Sequence, residues 1–177
     1  MKLEYQKILL PIDFSEHSLC ALSYASEFAR RFGASLTLVY VVEPAVFPPD
    51  FSLGQMAPPA LNRQMRERSK DELESVARER VAEGVEFSTI VRTGKPFIEI
   101  IETARDENAD LIIIPTHGRT GVEHIFFGST AEKVVRKAPC PVLSLRKPIK
   151  GFDYRDAMGS ERPTDPGFPK QNYDDGM

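Results

Sequence analysis

A chain of 177 residues with 41% hydrophobic side chains suits one well-buried domain and is short for two. Its 23 lysines and arginines against 26 aspartates and glutamates leave a formal charge of -3, which excludes a strong global pull toward nucleic acid or an anionic membrane. The apolar runs stop far short of the roughly 20 residues a membrane-spanning helix needs, and Cys20 and Cys140 stand far apart with no CxxC spacing, so a soluble protein of a reducing cytoplasm is expected.

The first residues, Met1 through Lys7, carry charges where a secretory signal needs an apolar stretch, so no export signal is expected there. The run Lys7-Ile8-Leu9-Leu10-Pro11-Ile12-Asp13 reads as a strand buried on both faces. A helix start follows, with Ser15 as N-cap and Phe14 and Leu19 spaced as a hydrophobic staple. Leu19, Leu22, Ala25, Ala29 and Phe32 give that helix an apolar face, and Gly33 stops it. Residues 35–42 are apolar and β-branched and make a second central strand, closed by Pro44.

Between residues 43 and 60, Pro44, Pro48, Pro49, Gly54, Pro58 and Pro59 forbid a regular element and predict a long excursion. A charged helix over residues 61–83 should turn Leu61, Met65, Leu73, Val76 and Val81 inward. Residues 85–91 alternate as a third strand. After Gly94-Lys95, Pro96 suits a helix first turn, and Phe97, Ile100, Ile101 and Ala104 supply the apolar face. Residues 111–114 form a fourth strand, residues 130–137 a helix with Arg136 and Lys137 in its last turn, and residues 142–145 a fifth strand. From residue 147 to 177, Pro163, Pro166, Gly167 and Pro169 interrupt an aperiodic segment, which reads as a tail outside a domain of residues 1–146.

Strictly alternating strands and helices imply an α/β fold with a parallel sheet, right-handed crossovers and helices on both faces. Ligands of such sheets lie beyond the C-terminal strand ends, which brings Asp13 together with the loop after the fourth strand. Known phosphate motifs fail there. Gly94-Lys95 is followed by Pro96 rather than Ser or Thr, the first strand ends without a glycine fingerprint, and no G-x-S-x-G elbow occurs. His117 and His124 have no third ligand nearby in sequence, so neither a metal site nor a histidine base is expected.

The loop does carry Gly118, Gly121 and Gly128, then Ser129-Thr130 at a helix start. Glycines admit a phosphate close to the main chain, and the helix N-terminus attracts it. The same residues also fit a plain capping box, in which Ser129 and Glu132 satisfy the helix end with no ligand. Both readings stand on the residues alone.

Gly118, nine intervening residues and Gly128-Ser129-Thr130, with Pro11-Ile12-Asp13-Phe14-Ser15 before and Ala138-Pro139-Cys140-Pro141-Val142-Leu143 after, resemble the universal stress protein family over residues 7–146. The resemblance implies a five-stranded parallel sheet of order 3-2-1-4-5, of the adenine nucleotide alpha hydrolase-like type. It also implies a homodimer through the last strand, residues 142–146, from Val142 to Arg146. The family's ATP-binding members carry G-x-x-G-x9-G-[S/T], and here Pro115 replaces the first glycine. Carried over by position, Ile12, Asp13 and Val41 would meet adenine or ribose, Gly118 and Arg119 would line the loop, and Gly128, Ser129 and Thr130 would hold phosphates. The implied ligand is ATP or AMP, with or without Mg²⁺, in a stress-response regulatory dimer. The alternatives are a nucleotide-free interaction module of the same fold and, ranked below it, a slow ATP hydrolase. No catalytic residue is assigned, because no carboxylate, arginine or lysine constellation suits in-line transfer.

Overall fold

Residues 8–10 and 111–114 hold no polar side chain, and each run becomes a strand covered on both faces. The computed structural model describes residues 5–44, 59–116 and 128–146. Strands β1 (Lys7–Pro11), β2 (Ser35–Val42), β3 (Phe87–Thr93), β4 (Leu111–Pro115) and β5 (Val142–Leu145) form one five-stranded sheet in the order β3-β2-β1-β4-β5. Every pairing is parallel. Helices α1 (Glu16–Phe32), α2 (Pro59–Arg80), α3 (Pro96–Asp106) and α4 (Ser129–Lys137) alternate with the strands.

Side-chain alternation along the strands divides the core between the two faces. Ile8, Leu10, Leu36, Leu38, Leu111 and Ile113 pack with Leu22, Ala25 and Ala29 of α1 and Leu73 and Ala77 of α2. On the other face Leu9, Val39, Ile112 and Ile114 pack with Ile100 and Ala104 of α3 and Ala131 and Val134 of α4. The helices therefore do cover both faces.

Helix α1 begins as expected. The Ser15 hydroxyl oxygen accepts the Ser18 N–H at 3.2 Å, and Gly33 closes the helix at φ 65°, a left-handed conformation that costs glycine little. Phe32 departs from its expected inward position and is 46% exposed. It lies at the helix end, past the last buried turn at Ala29, and stacks on Phe28 at 4.5 Å with Tyr5 edge-on at 5.4 Å.

Helix α2 differs more. It starts at Pro59 and ends at Arg80, and of its expected inner face Leu73 is fully buried while Met65 is 40% exposed. Residues 63–68 are all exposed, so an apolar residue there has no sheet beneath it. Strand β3 begins at Phe87, two residues beyond its expected start, and runs on to Thr93. Pro96 does open α3, whose Ile100, Ile101, Thr103 and Ala104 are buried. The expected excursion lies outside the described residues from 45 to 58, as does the expected tail from 147 to 177.

Truncating a residue buried between sheet and helices leaves a cavity, whereas an exposed side chain leaves none. Ile112→Ala should lower the urea-unfolding free energy by about 2–5 kcal/mol, and Met65→Ala should change it by less than about 0.5 kcal/mol.

Candidate ligand-binding crevice

The order in which strands are added to the sheet reverses between β1 and β4. Helix α1 leaves β1 for one face and α4 leaves β4 for the other, so neither of these helices bridges the C-terminal ends of the two strands. A crevice results at this switch point. The register shows how far the strands stay together. β1 pairs with β2 as far as Pro11↔Val39 and β4 pairs with β5 as far as Pro115↔Leu145, while β1 and β4 pair at Ile8↔Leu111 and Leu9↔Ile112.

One wall is the turn after β1. Asp13 Oδ1 accepts from the Ser15 N–H at 3.0 Å and from the Ser15 hydroxyl at 2.5 Å. Ser18, fully buried, donates its hydroxyl to the Ser15 carbonyl at 2.9 Å and accepts the Asp13 N–H at 3.4 Å. This network holds Phe14 at φ 60°, a left-handed conformation that costs a non-glycine residue roughly 1–2 kcal/mol. The Phe14 ring packs on Tyr40 at 4.8 Å, which anchors the turn to β2. A strained residue thus sits beside the carboxylate that the sequence picks out.

Ile12 is 3% exposed and belongs to the core under α1, and its N–H donates to the Val39 carbonyl at 2.9 Å. It supports the crevice from behind. Val41, near the end of β2, packs half-buried on the opposite face, against the cluster under α3 and α4.

The other wall is the start of α4. Gly128 is its N-cap, at φ -65° and ψ 148°, with no side-chain capping hydrogen bond, and Ser129 is the first helical residue. The capping box of Ser129 and Glu132, the alternative to a phosphate site, is therefore not formed. Glu132 donates its N–H to the Gly128 carbonyl at 3.0 Å, and its carboxylate pairs with Arg136 at 3.1 Å instead of reaching back. The helix starts one residue earlier because Gly128 is pinned to the end of β4. Its N–H donates to the Thr116 carbonyl at 2.7 Å, and a Cβ at this position would sit 3.3 Å from that same oxygen. Glycine allows the close approach.

Ile12, Asp13, Gly128, Ser129 and Thr130 thus occupy the strand ends and helix start around the switch point, with Val41 at the end of the neighbouring strand. Gly118, Arg119, Gly121, His117 and His124 lie outside the described residues. Sequence reasoning missed Thr116 and Ser18, both buried and both holding a crevice wall. A polar residue directly after an apolar strand, or inside a helix's first buried turn, was the available signal.

No group of three or more His, Cys, Asp and Glu side chains among the described residues could hold a metal ion. Cys140 is a poor nucleophile, because burial pushes its thiol pKa up and the Asp110 carboxylate adds to the effect.

The fold and crevice together define a doubly covered parallel α/β protein with a glycine-capped helix at its switch point. The model of the Universal stress protein family matches residues 4–146, and the chain belongs to that family. Universal stress protein MJ0531 of Methanocaldococcus jannaschii is 36% identical over 82% of this chain and 85% of its own length. A solved structure of MJ0577 from the same organism superposes with TM-score 0.70 at 30% identity, covering 82% of this chain and 98% of that one. Two further structures share the fold at 21% identity, with TM-scores of 0.53 and 0.51. They are a universal stress protein in complex with cAMP and one from Archaeoglobus fulgidus in complex with dAMP; they cover 81% and 80% of this chain and 98% of each of theirs.

Ser15 serves both as helix cap and as the clamp on Asp13. Ser15→Ala should cost about 1 kcal/mol of stability in denaturant unfolding, more than Ser75→Ala on an exposed turn of α2. Because its pKa is raised, Cys140 holds less thiolate at any given pH than an ordinary cysteine. Its alkylation by iodoacetamide at pH 8 should run slower than that of glutathione, with the gap closing as pH rises.

Proposed function

We propose that this protein binds an adenine nucleotide, ATP or AMP, in the crevice between β1 and β4, and that occupancy regulates a cytoplasmic stress-response dimer. One observation carries the reading. The first turn of α4, whose N-cap Gly128 has no side chain to occupy its N–H groups, stands at the end of β4 at the switch point it shares with the Asp13 turn. Backbone N–H groups and the positive end of the helix dipole then meet an anion, while the strand ends meet the nucleoside.

Ser129 and Thr130 hold phosphates through their N–H groups and hydroxyls, and Gly118 and Arg119 line the same loop by family resemblance. Asp13 accepts from ribose or base, and Ile12 and Val41 form the wall behind it. Mg²⁺ accompanies ATP through its phosphates. The cAMP and dAMP complexes of the two distant fold relatives are consistent with an adenine ligand.

For the dimer, β5 is an outer strand of the sheet among the described residues, with Val142, Leu143 and Leu145 only half-buried. A second copy pairing along residues 142–146 satisfies that edge. Regulation rather than efficient turnover is the reading, since no carboxylate, arginine or lysine constellation in the sequence suits in-line transfer.

Pro115 favours a second reading, a nucleotide-free dimeric module, because it lacks the N–H of the glycine in the family signature. Calorimetric titration with ATP and AMP, with and without Mg²⁺, separates the two. Binding is expected, and Gly128→Val should abolish it with the circular dichroism spectrum unchanged, since its side chain would crowd the Thr116 carbonyl. No heat and no thermal shift at millimolar nucleotide would refute the nucleotide reading.

A further inference from the structure

Parallel strands return through their helices, so α2 starts at the C-terminal edge of the sheet, where β2 ends at Val42. It comes back to the N-terminal edge, where the Glu86 carbonyl accepts the Leu36 N–H at 2.9 Å. Its fully buried residues, Leu73 and Ala77, lie in its second half, and residues 63–68 are all exposed. The stretch from Pro59 to Arg68 therefore overhangs the sheet by about 15 Å, at the edge that holds the crevice.

The stripe that faces the sheet changes character along this overhang. Seven residues are close to two whole turns, so Arg66 stands in the row of Leu73, and Arg63 and Lys70 stand in the row of Ala77. Where the helix rests on the sheet these rows are apolar and buried; beyond the rim they are basic and exposed. Residues 63–70 hold four cations, Arg63, Arg66, Arg68 and Lys70, against the single carboxylate of Glu67, in a chain whose formal charge is -3. Lys70 has Glu74 at 3.9 Å, and the three arginines form no ion pair with a described carboxylate. A row of this kind fits a carboxylate-rich segment.

The chain carries such a segment. Residues 171–177 contain Asp174 and Asp175 and neither lysine nor arginine. The tail that bears them leaves β5 after Leu145, at the same edge of the sheet as the overhang. From β5 to β2 is three strand spacings, about 15 Å, and the chain from Arg146 to Asp174 reaches up to about 90 Å when extended. Tethering holds the acidic segment near roughly millimolar effective concentration, so ion pairs that are individually weak at a surface act together.

We infer that the overhang of α2 is the docking surface for this chain's own acidic segment, with Asp174 and Asp175 latched on Arg63, Arg66 and Lys70. The shortest line from the end of β5 to the overhang passes over the ends of β4 and β1, so the latched tail lies across the mouth of the crevice. Its competition with ligand entry rests on the nucleotide reading; the latch itself does not.

Carbodiimide coupling joins an amine to a carboxylate in contact with it, and on the full chain Lys70 with Glu74 serves as the internal reference. Mass spectrometry of a mixture of unlabelled and nitrogen-15-labelled protein should find Lys70 joined to Asp174 or Asp175 within one chain. The yield should fall about fivefold or more when salt is raised to about 0.5 M. A link between chains would assign the surface to a second copy, and no link from Lys70 into residues 171–177 would leave it to solvent; either result overturns the inference. Arg63→Gln with Arg66→Gln removes positive charge, which by general electrostatics weakens an anion's binding, yet by releasing the tail it should tighten AMP about threefold or more at low salt. Unchanged or weaker AMP binding by this variant, with the link present in wild-type protein, would overturn the crossing of the crevice. No AMP binding by either protein would refute the nucleotide reading, and the cross-link alone then decides the latch.

Discussion

The short pairing of β1 with β4 is the constraint on which the rest of the molecule depends. Leu9↔Ile112 is the last register pair that joins the β3-β2-β1 half of the sheet to the β4-β5 half. Both residues are fully buried under α3 and α4, while their neighbours Leu10 and Ile113 are fully buried under α1 and α2. The join is therefore fixed by apolar burial on both faces rather than by hydrogen bonds alone. Beyond it the strands part, and each ends on a proline, Pro11 or Pro115, which has no N–H.

The two walls of the resulting crevice are stabilised by different means. After β1 the chain turns through a positive-φ phenylalanine, held by the Asp13–Ser15–Ser18 network and by the tilted packing of Phe14 on Tyr40. After β4 the return to the sheet end depends on the Gly128 N–H and on the absence of a side chain there. One wall spends side-chain hydrogen bonds on its own geometry, so Asp13 is pre-oriented. The other caps α4 with a residue that has no side chain. The Asp13 turn and the start of α4 thus meet at one switch point.

Much of this architecture is legible in the residues. The uninterrupted apolar runs at 8–10 and 111–114 announce strands covered twice, and Ser15 and Gly33 bracket α1 at their expected places. The edges were harder. Met65 and Phe32 look inward by composition, yet one lies on a helix stretch with no sheet beneath it and the other at a helix end flanked by Tyr5 and Phe28. Periodicity shows which face a residue takes, and says nothing about whether another element covers that face. The start of α4 went astray for a related reason. Ser129 followed by Glu132 satisfies the local capping pattern, but the contact of Gly128 with Thr116, made across the chain reversal, moves the cap one residue back.

Backbone hydrogen exchange with and without saturating AMP gives the most direct measure of nucleotide binding in this crevice. Protection is expected in peptides spanning residues 128–132 and 12–18, with none around residues 84–86 at the opposite end of the sheet. Unchanged exchange at both walls, or protection confined to the far end, would contradict a nucleotide site between β1 and β4.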